Sequence, residues 1–307
     1  MKNLLVSIII PTYNRPCYLK RAIDSVLNQT YEPIEVIVVD DNNPESESRK
    51  ETEHVMQEYA NNPVVQYIKH EKNKNGSAAR NTGAKFARGY YFCFLDDDDE
   101  FLPNKIESQL KCLNSKSDDY QICYSNYYRK NSKGKIVDVS RENREGFLCI
   151  ECLKRNIFIQ AGSNLLISRK AFSSINGFDE TFRRNQDLEF LVRLNSLYKI
   201  AYCDEVGLIV NIGDHSNTNI DYDNLTKQFI DKFKNKIDEF PKNIQNDIYY
   251  FLFLQVYRFY FFRRNFKKAY QIRKQKNIKI KSIIKYFAYC IKRKITKKIY
   301  GYICENI

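Results

Sequence analysis

Four consecutive carboxylates, Asp96, Asp97, Asp98 and Asp99, follow directly on residues 90–95, an apolar stretch that reads as a buried β-strand. Adjacent carboxylates repel one another and raise each other's pKa, so keeping them ionised calls for a counterion. A hard divalent cation with oxygen ligands supplies it, and such an ion at a strand end is suited to gripping a phosphate. The competing reading is an acidic helix N-terminus, since Pro103 is placed to open a helix and acids favour its positive end. One or two acids would meet that need; four in a row exceed it.

The elements that must position these acids alternate along the amino-terminal half. Residues 5–10, 35–39, 64–68 and 90–95 have the continuous apolar character of strands buried on both faces, and residues 17–28, 45–60 and 77–87 between them have helical spacing. That order predicts an α/β fold with a doubly wound, mostly parallel sheet. In such sheets ligands sit at the carboxyl ends of the strands. Residues 11–14, the pair Asp40 and Asp41, and residues 96–99 all fall at those ends, so three polar clusters are expected to share one crevice.

The chain of 307 residues, 43% hydrophobic and 14% aromatic, has the composition of a folded protein rather than a disordered one. Met1 and Lys2 lead into a strand-like run without a signal-type apolar region. Nine scattered cysteines, an odd number, suit reduced thiols and a cytoplasmic setting. Cys149 and Cys152 form a Cys-x-x-Cys with no second pair to complete a zinc site.

Charge is uneven. Residues 241–307 hold 17 Lys and Arg against two acids, more than the chain's whole net charge of +13, so the first 240 residues are slightly acidic. Within that tail, residues 248–262 are almost wholly apolar and aromatic but too short for a membrane span, which predicts a buried or interfacial helix. Beyond it Ile280, Ile284, Phe287, Ile291, Ile295, Ile299 and Tyr302 recur at steps of three or four, with lysines between them: an amphipathic basic helix. Such a helix can lie on anionic lipid, bind nucleic acid electrostatically, or dock on the catalytic core with a solvated Lys face. The expectation taken forward is an anionic membrane surface met through residues 278–302, with no nucleic-acid partner and a peripheral location on the inner face of the plasma membrane.

The blocks Ser7-Ile-Ile-Ile-Pro-Thr-Tyr-Asn14, Val38-Val-Asp-Asp41, Ala79-Arg-Asn-Thr-Gly83 and Phe94-Leu-Asp-Asp-Asp-Asp99 with Pro103 together resemble glycosyltransferase family 2. The resemblance extends over about residues 4–215. It implies a GT-A nucleotide-sugar fold over residues 1–225, a nucleotide-binding half to about residue 103 and an acceptor half after it, with 226–307 as a helical basic extension. It also implies inverting transfer of a sugar from a nucleotide donor, UDP by preference, to an acceptor hydroxyl. By analogy, the basic tail and the tyrosine- and lysine-rich composition suit a glycan or lipid-linked glycan acceptor, as in bacterial surface polysaccharide assembly. Mn²⁺ or Mg²⁺ is the expected cofactor.

Carried over residue by residue, the resemblance gives Pro11 and Tyr13 the wall and stacking face for the base, and Asp41 a hydrogen bond from a uracil ring N–H, unless Asp41 only makes a turn at the strand end. Arg80 would stand near base or diphosphate, or else be a surface helix residue. Asp96 and Asp97 would lie near ribose and phosphate and Asp98 would ligate the metal, with Asp99 a further contact because a run of four leaves the register open by one. Asp179 and Glu180, in Asn176-Gly-Phe-Asp-Glu180, match a segment beside the acceptor. Asp187, in Gln186-Asp-Leu-Glu-Phe190, matches the general base, although an Asp in a first helical turn is also an ordinary cap and Gln186 stands where the family usually has Glu. His215 matches a loop histidine near the phosphates, without the arginine that often adjoins it. His54 and His70 carry no constellation and are not expected to be ligands. The rival class is a non-catalytic nucleotide-sugar or nucleic-acid binding protein, in which a base and an acceptor segment would be superfluous; a nucleotidyltransferase lacks its glycine-rich, lysine-bearing loop here.

Overall fold

The computed structural model describes residues 4–182, 184–213 and 221–303. Ile8, Ile9 and Ile10 in β1 (Val6–Thr12) and Val36 to Val39 in β2 (Ile34–Asp40) are fully buried, as β-branched residues packed on both faces of a sheet should be. The two strands run parallel, Ile9 opposite Ile37. They are joined through α1 (Pro16–Leu27), which turns Leu19, Ala22, Ile23 and Val26 inward. α2 (Glu47–Gln57) leads to β3 (Val65–Lys69), parallel to β2. α3 (Gly76–Phe86) leads to β4 (Tyr91–Phe94), parallel to β1. The small residues of α3 let it lie close against the sheet: a Cβ on Gly83 would stand 2.4 Å from Ile9 Cγ2.

Past β4 come β5 (Glu100–Phe101), α4 (Lys105–Asn114), β6 (Tyr120–Asn131), β7 (Ile136–Ser140), α5 (Cys149–Leu153), α6 (Ala161–Asn164), β8 (Leu166–Ser168), α7 (Arg169–Ser174), α8 (Gln186–Asn195) and β9 (Lys199–Ile212). The sheet runs β7-β6-β8-β4-β1-β2-β3, with β9 beside β6 and β5 beside β9. It is parallel from β3 to β4. β8 is antiparallel to both β4 and β6, while β6 and β9 are parallel. α4 opens only at Lys105, so Asp96 to Asp99 are not its first turn, and the helix-dipole reading of the acidic run does not apply.

The chain divides into two compact units, one of residues 1–148 and 159–213, the other of residues 149–158 and 214–307. In the second, α5 joins α9 (Tyr222–Asp238), α10 (Lys242–Phe262), α11 (Phe266–Gln275) and α12 (Ile280–Thr296). Gln255 donates to the Lys154 carbonyl at 2.6 Å and the Arg155 guanidinium lies 4.9 Å from the Tyr222 ring, which explains why residues 149–158 belong with the helices. Phe251, Leu254, Val256, Ile272, Ile283 and Tyr286 form this unit's own core. Cys149 and Cys152 are buried in α5. Among the described residues no helix is long and apolar enough to cross a membrane.

Candidate active site

β4 ends at Phe94 and delivers the acidic run to the carboxyl edge of the sheet. There the Asp99 N–H donates to the Asp96 carbonyl at 3.0 Å, a tight turn that folds the run back on itself. The turn gathers one carboxylate oxygen each from Asp96, Asp98 and Asp99 within 4.8 Å of one another. Asp97 points the other way. It accepts from Thr12 Oγ1 at 2.8 Å and the Tyr13 N–H at 3.4 Å, and Arg15 Nε stands 3.1 Å away, so it ties the end of β1 to the acidic turn. The turn is held from β9 and α1. Asn211 donates its N–H to Asp99 at 3.1 Å and its side-chain amide to the Asp98 carbonyl at 2.8 Å, and Arg21 donates to that carbonyl at 2.9 Å.

Burial dominates the electrostatics. It pushes Asp97 up to about 7 against the pull of Arg15. Asp98 is raised by burial, opposed by Arg15, and Asp99 is raised well above the carboxylate range by burial and by its neighbours Asp96 and Asp98. Burial disfavours the charged forms of Asp98 and Asp99, a cost that a hard dication offsets, and three converging carboxylate oxygens fit Mg²⁺ or Mn²⁺.

Arg80 approaches the cluster from α3. Its Nη2 is paired with Asp96, its Nη1 donates to Gln186 Oε1 at 3.2 Å, and its guanidinium lies 5.5 Å from the Phe178 ring. Phe178 in turn stacks on Phe190 of α8 at 4.0 Å, which sets the start of α8 beside Arg80. A side chain at the head of α3 would crowd this contact, because a Cβ on Gly76 would stand 3.0 Å from Arg80 Nη1 and 3.2 Å from Gln186 Oε1. Asp187 sits half-buried in the first turn of α8. Its pKa is raised, first by burial and then by the charge of Asp96, while the Leu188 N–H and Arg80 draw it back. Asp96, Asp98, Asp99, Arg80 and Asp187 thus share one site.

The other expected site residues are distributed differently. Tyr13 is 43% exposed at the end of β1, next to the half-buried Pro11. Asp41 is buried, and its carboxylate is fully engaged: the Lys74 and Asn75 N–H groups donate at 2.8 and 2.9 Å, Asn73 Nδ2 at 2.8 Å, and His70 Nδ1 lies 2.7 Å away. Asp41 is therefore the organiser of the loop before α3. Asp179 accepts from the N–H and Oγ1 of Thr181 at 2.9 and 2.6 Å, a local turn, whereas the exposed Glu180 accepts from Asn81 at 2.9 Å and lines a hollow with Lys85 and Arg169. His215 lies outside the described residues.

Sequence reasoning missed Arg15, Ser163, Asn211 and His70. Ser163 Oγ accepts the Asp96 N–H at 3.1 Å. His70, set aside as lacking a constellation, bridges Asp41 and Thr82 Oγ1 at 2.9 Å, a structural role across distant segments. Arg15 carried a usable signal, since it directly follows the 7–14 block; the others are brought in by sheet pairing and loop packing far along the chain.

A parallel α/β sheet flanked by antiparallel strands, with an acid cluster at the carboxyl end of its fourth strand, defines the GT-A class of fold. A family model described as "Glycosyl transferase family 2" matches residues 7–175, and the chain belongs to that family. It is 36% identical over 211 residues to an uncharacterised glycosyltransferase of Rickettsia bellii, an alignment covering 67% of this chain and 29% of that protein. It is 30% identical over 202 residues to the amylovoran biosynthesis glycosyltransferase AmsB of Erwinia amylovora, covering 64% of this chain and 66% of AmsB. The chain spans about a third of the length of several of the curated relatives it matches. Among solved structures, TarS 1-349 of S. aureus in complex with UDP-GlcNAc superposes with a TM-score of 0.63 at 16% identity, over 80% of this chain and 70% of that one, a likeness of fold.

Proposed function

We propose that this protein is an inverting, metal-dependent glycosyltransferase that moves a sugar from a UDP-linked donor to a hydroxyl of a polysaccharide or lipid-linked glycan. The observation that carries the reading is the convergence of Asp96, Asp98 and Asp99 with Arg80 and Asp187 at one end of a GT-A sheet. Solved TarS complexes with UDP and UDP-GlcNAc support a uridine donor, and AmsB supports a polysaccharide product.

In this reading Tyr13 offers its exposed ring to the base, with Pro11 as the wall. Asp98 and Asp99, with Asp96, hold Mn²⁺ or Mg²⁺. The ion, when bound, neutralises charge on the departing diphosphate. Arg80 orients Asp96 and adds positive charge beside the phosphates. Inversion requires the acceptor oxygen to approach opposite the leaving group, and Asp187 takes its proton, a step typically worth about 10²–10⁴-fold. Raised by burial and by Asp96, Asp187 is a stronger base than an exposed aspartate. Of the acceptor pair, Glu180 is the more accessible, being exposed while Asp179 is half-buried, although each already accepts a hydrogen bond, from Asn81 and Thr181 respectively.

The test is UDP release from UDP-sugars in the presence of Mn²⁺. Wild-type protein is expected to release UDP and transfer sugar, and Asp187→Asn is expected to bind donor normally but turn over at least about a hundredfold more slowly. Undiminished turnover by Asp187→Asn would assign the base elsewhere. A protein that binds donor but never releases UDP would favour the non-catalytic class.

A further inference from the structure

The periodicity of α12 leaves open whether the isoleucines that carry it dock on the rest of the protein or meet a membrane surface, and in the structure they are exposed. Ile280, Ile284, Ile291 and Ile295 are 57%, 64%, 56% and 75% exposed, whereas Ser282, Ile283, Tyr286 and Tyr289 face the core. At about 100° per residue these are two separate arcs of one helix. The outward arc continues onto α10, because Phe287 of α12 stacks at 5.2 Å on Phe262, itself 60% exposed.

The same rotation places Lys281, Lys285 and Lys292, all exposed, along one border of the arc and the exposed Lys294 on the other. An apolar stripe bordered by lysines is complementary to a surface that is apolar within and negatively charged at its rim. A second copy of this chain is disfavoured, since pairing the stripes would bring like-charged lysine rows together. Nucleic acid would engage the lysines and leave the isoleucines unused. We propose that this face of α12, extended by Phe262, seats the protein on an anionic lipid bilayer, lying in the headgroup region without spanning it.

The inference is independent of sugar transfer and is tested by binding. The full chain is sedimented with vesicles of phosphatidylcholine alone and with vesicles containing phosphatidylglycerol, at low and high NaCl. Expected are at least tenfold stronger binding to the anionic vesicles, weakening with salt, and at least a tenfold loss in the double variant Ile284→Glu/Ile291→Glu. Because both isoleucines are exposed, the double variant should keep the wild-type melting transition. The triple variant Lys281→Gln/Lys285→Gln/Lys292→Gln, which leaves the stripe intact, should lose the anionic preference. Equal binding to both vesicle types, or binding that follows the lysines but not the isoleucines, would overturn the proposal. So would a concentration-dependent dimer that Ile284→Glu abolishes.

Discussion

Arg80 is paired with Asp96 while its other terminal nitrogen donates to Gln186, the residue just before Asp187, so a single guanidinium spans from the acidic turn to the start of α8. The acid cluster and the candidate base are thereby coupled electrostatically. Glutamine at position 186 suits this role: it accepts from Arg80 through one amide end and donates to the Phe182 carbonyl at 2.9 Å through the other.

That coupling sets a pH dependence. Asp187 works as a base only when deprotonated, and its pKa is raised, so kcat/KM should fall as pH drops through a value above the ordinary aspartate range near 4. Arg80 draws that pKa down, so Arg80→Gln should move the acid limb to higher pH as well as lowering the rate. A pH–rate profile of the two proteins checks both the position of the limb and the direction of its shift.

The acidic run should separate into two functions. Asp98→Asn and Asp99→Asn remove converging ligands and are expected to weaken Mn²⁺ binding by at least about tenfold. Asp97→Asn, whose carboxylate serves Thr12, Tyr13 and Arg15, should weaken Mn²⁺ less and lower the melting temperature more. Calorimetric Mn²⁺ titration and thermal melts of the three variants distinguish these outcomes.

Below the site, a buried ion pair carries the loop that ends β2. Arg49 Nε lies 3.0 Å from Asp40, and its Nη2 donates to the carbonyls of Asn42 and, at 2.8 Å, His70. Arg49→Met leaves the fully buried Asp40 without its counter-charge, and chemical denaturation should show a loss of about 3–5 kcal/mol.

The parallel half of the sheet was legible because its strands are buried on both faces: the runs around Ile8 to Ile10 and Val36 to Val39 could be nothing else. The location of the site was legible for the same reason, since strand ends fix where ligands bind. What each aspartate does was not. The alternation within residues 96–99 depends on a turn closed by backbone atoms, which sends Asp97 away from its three neighbours. Asp41 reads as a base contact until residues 70–75, some 30 positions on, supply the donors that occupy it. In α12 the helical period was visible, but two apolar arcs share that period, and only the packing of Ile283, Tyr286 and Tyr289 reveals which one faces inward. Residues 149–158 gave no sign that they pack with helices that begin more than 60 positions later.

The central claim is that the acids at the end of β4 hold a cation that grips a nucleotide diphosphate, and the most direct measurement is the melting temperature with UDP in Mn²⁺ and in EDTA. A ligand of the folded state at about a hundred times its Kd stabilises by about 2.7 kcal/mol, well within reach of such a melt. The account predicts a rise with UDP and Mn²⁺ together that EDTA removes and that Asp98→Asn greatly reduces. An equal rise with UDP in EDTA, or one that Asp98→Asn leaves unchanged, would contradict it.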